Sequence, residues 1–205
     1  MHIKNIITSG KPITEASKAL IMVHGRGAGA RDILALASHL NVSEYALFAP
    51  QATNNTWYPG SFLLPREQNE PWLSSALSLI DETVQDITKQ GISPENIYFL
   101  GFSQGACLVL EYVTRNARKY GGIAAFTGGL QGETIIEENY KGDFEGTRVF
   151  IGTGDPDQHV PVERVNRTAA IMNNLNAAVR VEVYENKAHS VSQDEIDQAN
   201  SLIFN

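Results

Sequence analysis

Short apolar runs, rich in β-branched and aromatic residues, alternate along this chain with segments whose apolar positions recur every three or four residues. The runs are Ile21-Met22-Val23, Tyr45 to Ala49, Ile97 to Leu100, Ile123 to Phe126, Val149 to Ile151 and Val179 to Tyr184. Most are continuous, the pattern of strands covered on both faces. The last alternates: Val179, Val181 and Val183 share one face, Arg180 and Glu182 the other. That predicts a strand nearer the edge of a sheet. The stretch Ile3 to Ile13, with Ser9-Gly10 as its turn, predicts an N-terminal hairpin.

Leu73, Ala76, Leu77, Ile80, Val84 and Ile87 fall on one face of a helix. Further helices are expected over about 31–40, 104–119, 162–175 and 192–203. The last opens with Ser192-Gln193-Asp194-Glu195, a capping-box pattern. Strands alternating with helices imply an α/β fold, a mostly parallel sheet with helices on both faces. No repeat, low-complexity tract or linker interrupts the pattern, so residues 1–205 read as one domain. One connection is long, from Pro50 to Pro71, and carries Trp57, Tyr58, Phe62, Leu63 and Leu64. Disorder disfavours aromatics, so this predicts an ordered functional loop.

Composition narrows the function classes. A hydrophobic content of 42% with 19% charged residues excludes an extended disordered chain. The balance of 16 Lys+Arg against 23 Asp+Glu, net −7, comes without basic clusters, which argues against nucleic acid as a partner. A single cysteine excludes an internal disulfide framework and a Cys-rich zinc site. The five histidines show no paired-ligand spacing, so no metal is expected. No apolar stretch approaches the roughly 20 residues that span a bilayer, and the N-terminus lacks a signal-peptide pattern. The expected compartment is the cytoplasm, without stable membrane insertion.

Chemistry enters with Gly101-Phe102-Ser103-Gln104-Gly105, which follows an apolar strand and precedes a helix pattern. In that context G-x-S-x-G is a sharp strand-to-helix turn that lifts a serine hydroxyl above the sheet. The hydroxyl needs a base. In this architecture an acid and then a histidine follow the serine, each on a loop after a later strand. His189 is the only histidine after the last strand. Asp155 and Asp157 compete for the acid, with Asp157 favoured because it lies deeper in its loop. His159 precedes the last strand and reads as a loop residue. An oxyanion formed by attack needs backbone N–H donors. Gln104 supplies one from the start of its helix, and Arg26, in His24-Gly25-Arg26-Gly27-Ala28-Gly29, is the candidate for the other. Whether the Arg26 side chain also meets a carboxylate on the substrate is left open by the sequence, since nothing in it requires one. His24 reads as a buried support. Trp57, Tyr58, Phe62, Leu63 and Leu64 are the candidate substrate pocket, while Trp72 and Cys107 read as core.

Four stretches together resemble the small carboxylesterase/phospholipase family of α/β-hydrolases, the group that includes acyl-protein thioesterases. They are His24-Gly25-Arg26-Gly27, Gly101-Phe102-Ser103-Gln104-Gly105, Gly154-Asp155-Pro156-Asp157-Gln158-His159-Val160-Pro161 and Ala188-His189-Ser190. The resemblance covers roughly residues 19–203. The family's aspartate stands just before x-x-Val-Pro, which selects Asp157. The resemblance implies a compact α/β-hydrolase without a separate cap domain and without cofactor, acting on small-molecule esters or thioesters. The segment Thr56 to Leu63 departs from the thioesterases and looks closer to bacterial carboxylesterase-like members. The expectation is a serine carboxylic-ester hydrolase with Ser103, Asp157 and His189 as catalytic residues. Its rivals are a lysophospholipase or acyl-protein thioesterase and, from another class, a non-catalytic receptor on the same fold. A homodimer is left open.

Overall fold

The computed structural model describes residues 1–205. Seven strands form one sheet: β1 (Ile6–Gly10), β2 (Lys18–Val23), β3 (Tyr45–Pro50), β4 (Ile97–Phe102), β5 (Gly122–Phe126), β6 (Arg148–Asp155) and β7 (Ala178–Glu185). Their spatial order is β1-β3-β2-β4-β5-β6-β7. All neighbours run parallel except β1, which pairs antiparallel with β3. Five helices flank the sheet: α1 (Ala30–Ala35), α2 (Trp72–Lys89), α3 (Gln104–Arg115), α4 (Val162–Asn174) and α5 (Gln193–Leu202).

Successive strand residues feed opposite cores, as the pleat dictates. Ile21, Phe99, Ala125 and Ile151 belong to one apolar cluster, together with buried residues of α2, α3 and α4. Their chain neighbours Met22, Leu100, Phe126 and Phe150 belong to a second, with Ile33 of α1 and Ile196 of α5. This is why the central runs are continuously apolar: both faces are roofed. Strand β7 lies at the edge, as its alternation predicts, but the valine face holds only in part: Val179 and Val181 are half-buried, whereas Val183 is 41% exposed and Glu182 is half-buried.

The N-terminal hairpin does not form. Ile6–Gly10 is a single strand whose partner is β3, from Ile6 opposite Pro50 to Gly10 opposite Ala46. The would-be second strand starts at Pro12, which has no N–H to give a ladder and instead closes a turn through its carbonyl to Glu15. Helix α1 is shorter than expected, tightening into a 3-10 turn at Leu36–His39. Helix α3 stops at Arg115 because Asn116 leaves helical geometry.

Candidate active site

Ser103 stands alone between the end of β4 and the start of α3, with φ 53° and ψ −120°. Such a conformation is costly for a residue with a side chain and persists only where its surroundings enforce it. Here the Ser103 N–H donates to the Phe126 carbonyl at 2.9 Å. Space is the other constraint. A Cβ on Gly101 would stand 2.6 Å from the Gly105 carbonyl oxygen, and one on Gly105 would overlap the carbonyls of Val23 and His24. The flanking glycines let β2, β4 and α3 close around the turn.

The loops after β6 and β7 meet over that serine. His189 Nε2 is 2.8 Å from Ser103 Oγ, and His189 Nδ1 is 2.7 Å from Asp157 Oδ2. A carboxylate can only accept, so Nδ1–H donates to Asp157 and Nε2 is left to accept the Ser103 hydroxyl proton. The other oxygen, Asp157 Oδ1, accepts the N–H groups of His159 at 2.8 Å and Val160 at 2.9 Å. The Asp157 side chain is fully shielded, while the imidazole keeps 26% of its surface. Burial pushes the Asp157 carboxyl up, but the His189 hydrogen bond, the two N–H groups and the imidazole charge outweigh it and hold the carboxyl below its usual range. Asp155, the competitor, is exposed at the end of β6.

The His189 loop is braced by a buried ion pair. Lys187 Nζ lies 3.2 Å from Glu195 Oε2, with the two side chains 9% and 0% exposed, and also donates to the Ser190 carbonyl at 2.6 Å. The same Glu195 oxygen accepts Ser192 N–H at 2.8 Å, completing the capping box that starts α5. Sequence pattern identified Glu195 as a cap, but not its partner across the histidine.

The opposite bank is tied by hydrogen bonds and holds no ion pair. The Gln104 side chain accepts from Trp57 N–H at 2.9 Å and donates to the Tyr58 carbonyl at 2.9 Å. The Trp57 indole N–H donates to the His24 carbonyl at 2.8 Å. His24 is wholly buried; its Nδ1 faces the Gly25 carbonyl and its Nε2 accepts from Ala52 N–H. Burial lowers its pKa, so it sits there neutral. Arg26 donates through both terminal nitrogens to the carbonyls of Pro59 and Gly60, at 2.8 and 2.6 Å. The Gly27 and Ala28 N–H groups serve Asn55 and Gly25 carbonyls, whereas that of Arg26 serves no loop carbonyl. Gln104, as the first residue of α3, has an N–H with no intrahelical partner.

Between the banks is an open cleft of about 450 Å³. Tyr58 and Phe62 line it, but three expected pocket residues do not. Trp57 is fully buried as a strut between His24 and α3, Leu63 packs on the larger apolar cluster, and Leu64 lies outside the cleft lining, 36% exposed. The long loop is therefore part wall and part scaffold. Cys107 is core, as read: it is buried in the larger apolar cluster beneath the cleft, and burial pushes its thiol up to about 12. His159, read as a loop residue, does face the cleft, its ring edge-on to His189 at 4.9 Å. Trp72 is partly buried against the core. No group of three or more His, Cys, Asp or Glu is arranged to hold a metal ion. No helix is long and apolar enough to cross a membrane.

Comparison with known proteins places this site in a family. A phospholipase/carboxylesterase family model matches residues 4–204. The crystal structure of a phospholipase/carboxylesterase from Dyadobacter fermentans is 57% identical, covering 100% of this chain and 98% of that one, with a TM-score of 0.99. Acyl-protein thioesterase 1 of Saccharomyces cerevisiae is 33% identical over 131 residues, 63% of this chain and 58% of the relative. The protein of the same name from Kluyveromyces lactis is 40% identical over 95 residues, 44% of this chain and 40% of the relative. The matched stretches thus span about half the length of these two relatives. With a family model over residues 4–204 and a 57% identical structure that shares the fold end to end, the chain belongs to the phospholipase/carboxylesterase family of α/β-hydrolases.

Proposed function

We propose that the chain folds as one domain and acts as a serine carboxylic-ester hydrolase through Ser103, His189 and Asp157. The observation that carries this reading is the unbroken contact series from Ser103 Oγ through both His189 nitrogens to the shielded Asp157 carboxylate, at 2.8 and 2.7 Å. His189 Nε2 takes the hydroxyl proton as Ser103 Oγ attacks the acyl carbon. Asp157 holds the tautomer and balances the imidazolium charge. The N–H groups of Gln104 and Arg26 receive the developing oxyanion, with the N-terminal dipole of α3 adding to the field. His189 returns the proton to the leaving alcohol or thiol, and the acyl bond to Ser103 then breaks by attack of water that His189 deprotonates. No cofactor takes part in this scheme.

Tyr58, Phe62, Phe102 and Val160 give the cleft apolar walls suited to small and medium acyl groups. A thioester substrate is a second reading, favoured by the likeness to proteins named acyl-protein thioesterases. A receptor without chemistry would have no use for a strained serine backbone and a matched acid–base pair. The test is hydrolysis of nitrophenyl esters and thioesters of graded acyl length by wild type and Ser103→Ala. Turnover that survives the substitution unchanged, or wild-type inactivity on every acyl compound, would sink the proposal.

A further inference from the structure

We infer that the cleft selects esters bearing an anionic group, a carboxylate or phosphate, anchored by the side chain of Arg26. This rests on the hydrolase reading and names the substrate class of the same site.

The first observation is the sign of the lining. Apart from His189, the ionisable side chains facing the cleft include Arg26 and His159, and no Asp or Glu faces it, although the chain as a whole carries 23 acidic residues against 16 basic. The one carboxylate nearby, Asp157, is fully shielded and engaged by His189, His159 and Val160. The second observation is that Arg26 has no ion-pair partner. Arg66, Arg115, Arg167 and Arg180 reach carboxylates, whereas Arg26, like Arg164, meets only backbone carbonyls, those of Pro59 and Gly60, and of the arginines only Arg26 lines the cleft. A guanidinium has five N–H donors, and two carbonyls leave donors and the full positive charge uncommitted. The two bonds also fix the fork in place, so little side-chain freedom is lost on binding. The third is position. Arg26 follows β2 and His159 follows β6, on opposite sides of β4 and its serine. Arg26 moreover belongs to the turn whose backbone N–H is assigned to the oxyanion, and it lines the same cleft as Ser103 and His189. An unpaired cation held in an open cleft of a net-negative protein concentrates anions locally.

The experiment compares kcat/KM for methyl hydrogen succinate with that for methyl butanoate, and for 4-acetoxybenzoate with phenyl acetate, at low ionic strength. The first pair puts the anion on the acyl side, the second on the alcohol side. Phenyl phosphate and succinate are added as competitive inhibitors. The anionic member of at least one pair is expected to be favoured by roughly tenfold, the scale of one charge-assisted contact, with the advantage falling as salt rises. Because the Arg26 backbone is also assigned to the oxyanion, the readout in variants is the anionic-to-neutral ratio and not the absolute rate. Arg26→Gln should bring that ratio to about one, and Arg26→Lys should retain most of it. Good turnover of the neutral esters with no anionic preference, or a preference untouched by Arg26→Gln, overturns this inference and leaves the hydrolase reading standing. Failure to turn over any of these esters, with no inhibition by the anions, overturns both.

Discussion

On the β2 side of Ser103, the wall from Thr56 to Gly60 is fastened without an ion pair: by the Gln104 amide, the His24 carbonyl, and the Pro59 and Gly60 carbonyls that receive the Arg26 guanidinium. On the β6–β7 side, His189 meets the Asp157 carboxylate, and the loop that carries it is tied to α5 by the Lys187–Glu195 ion pair. The difference matches the two tasks. Donors that meet a transient oxyanion work best when their positions are fixed in advance and do not titrate. A base that takes up a proton is helped by a carboxylate that stays ionised and balances the charge it gains. One bank holds its single charge, that of Arg26, on backbone carbonyls, and the other sets its charges in pairs.

Substitutions should separate the banks. The largest effect is expected from Ser103→Ala, which should lower kcat on nitrophenyl esters by about 10⁴–10⁶ with the fold intact by circular dichroism. Asp157→Asn should follow at on the order of 10⁴, because an amide can present its N–H to His189 Nδ1 and so favour the wrong tautomer. A loss below tenfold would mean that Asp157 only supports the loop. Lys187→Met should strand the Glu195 carboxylate, which is 0% exposed, and cost about 3–5 kcal/mol in a denaturant titration. If it is neutral, the buried pair does not brace the histidine loop. Gln104→Ala should cost about 2–3 kcal/mol by leaving Trp57 N–H and the Tyr58 carbonyl without their partner, and this loss should be insensitive to salt.

The smallest effect concerns pH. Asp157 has its folded pKa held below its unfolded value, so its contribution to stability is fully present above the unfolded value near 4 and is lost as pH falls through the folded one. Thermal unfolding of wild type should therefore show an acid-side loss below about pH 4 that is smaller in Asp157→Asn. Gln104→Ala should keep the wild-type acid slope, since it touches only the bank without an ion pair. Parallel slopes in wild type and Asp157→Asn would remove Asp157 as a source of the pH dependence.

Periodicity carried the fold a long way, because two roofed faces impose continuous apolar runs and an edge strand imposes alternation. It failed at the N-terminus, where a nearby Ser-Gly suggested a local turn. Strand pairing is decided by whichever edge is open, and β3 offered one. Site residues divided in a similar way. Ser103, Asp157 and His189 were legible because an elbow, a topological order and a motif each constrain a backbone position. Trp57, Leu63 and Leu64 were assigned to the pocket on apolarity alone, which does not distinguish a wall from the strut behind it. His159 was set aside because it broke the expected chain order, yet it faces the cleft, since order constrains which histidine can be the base and not which can stand beside it.

The amino-acid sequence by itself determined the layered architecture and the glycine-flanked strand-to-helix turn that carries the serine, since hydrophobic period and turn chemistry are local properties, whereas the preference for Asp157 over Asp155 leaned on the family's motif. Only the tertiary structure decided how the banks are fastened and what faces the cleft. Lys187 reaches Glu195, Gln104 reaches Trp57, and Arg26 is left without a carboxylate because of where the folded sheet brings separate loops together, and no local pattern along the chain encodes those distances.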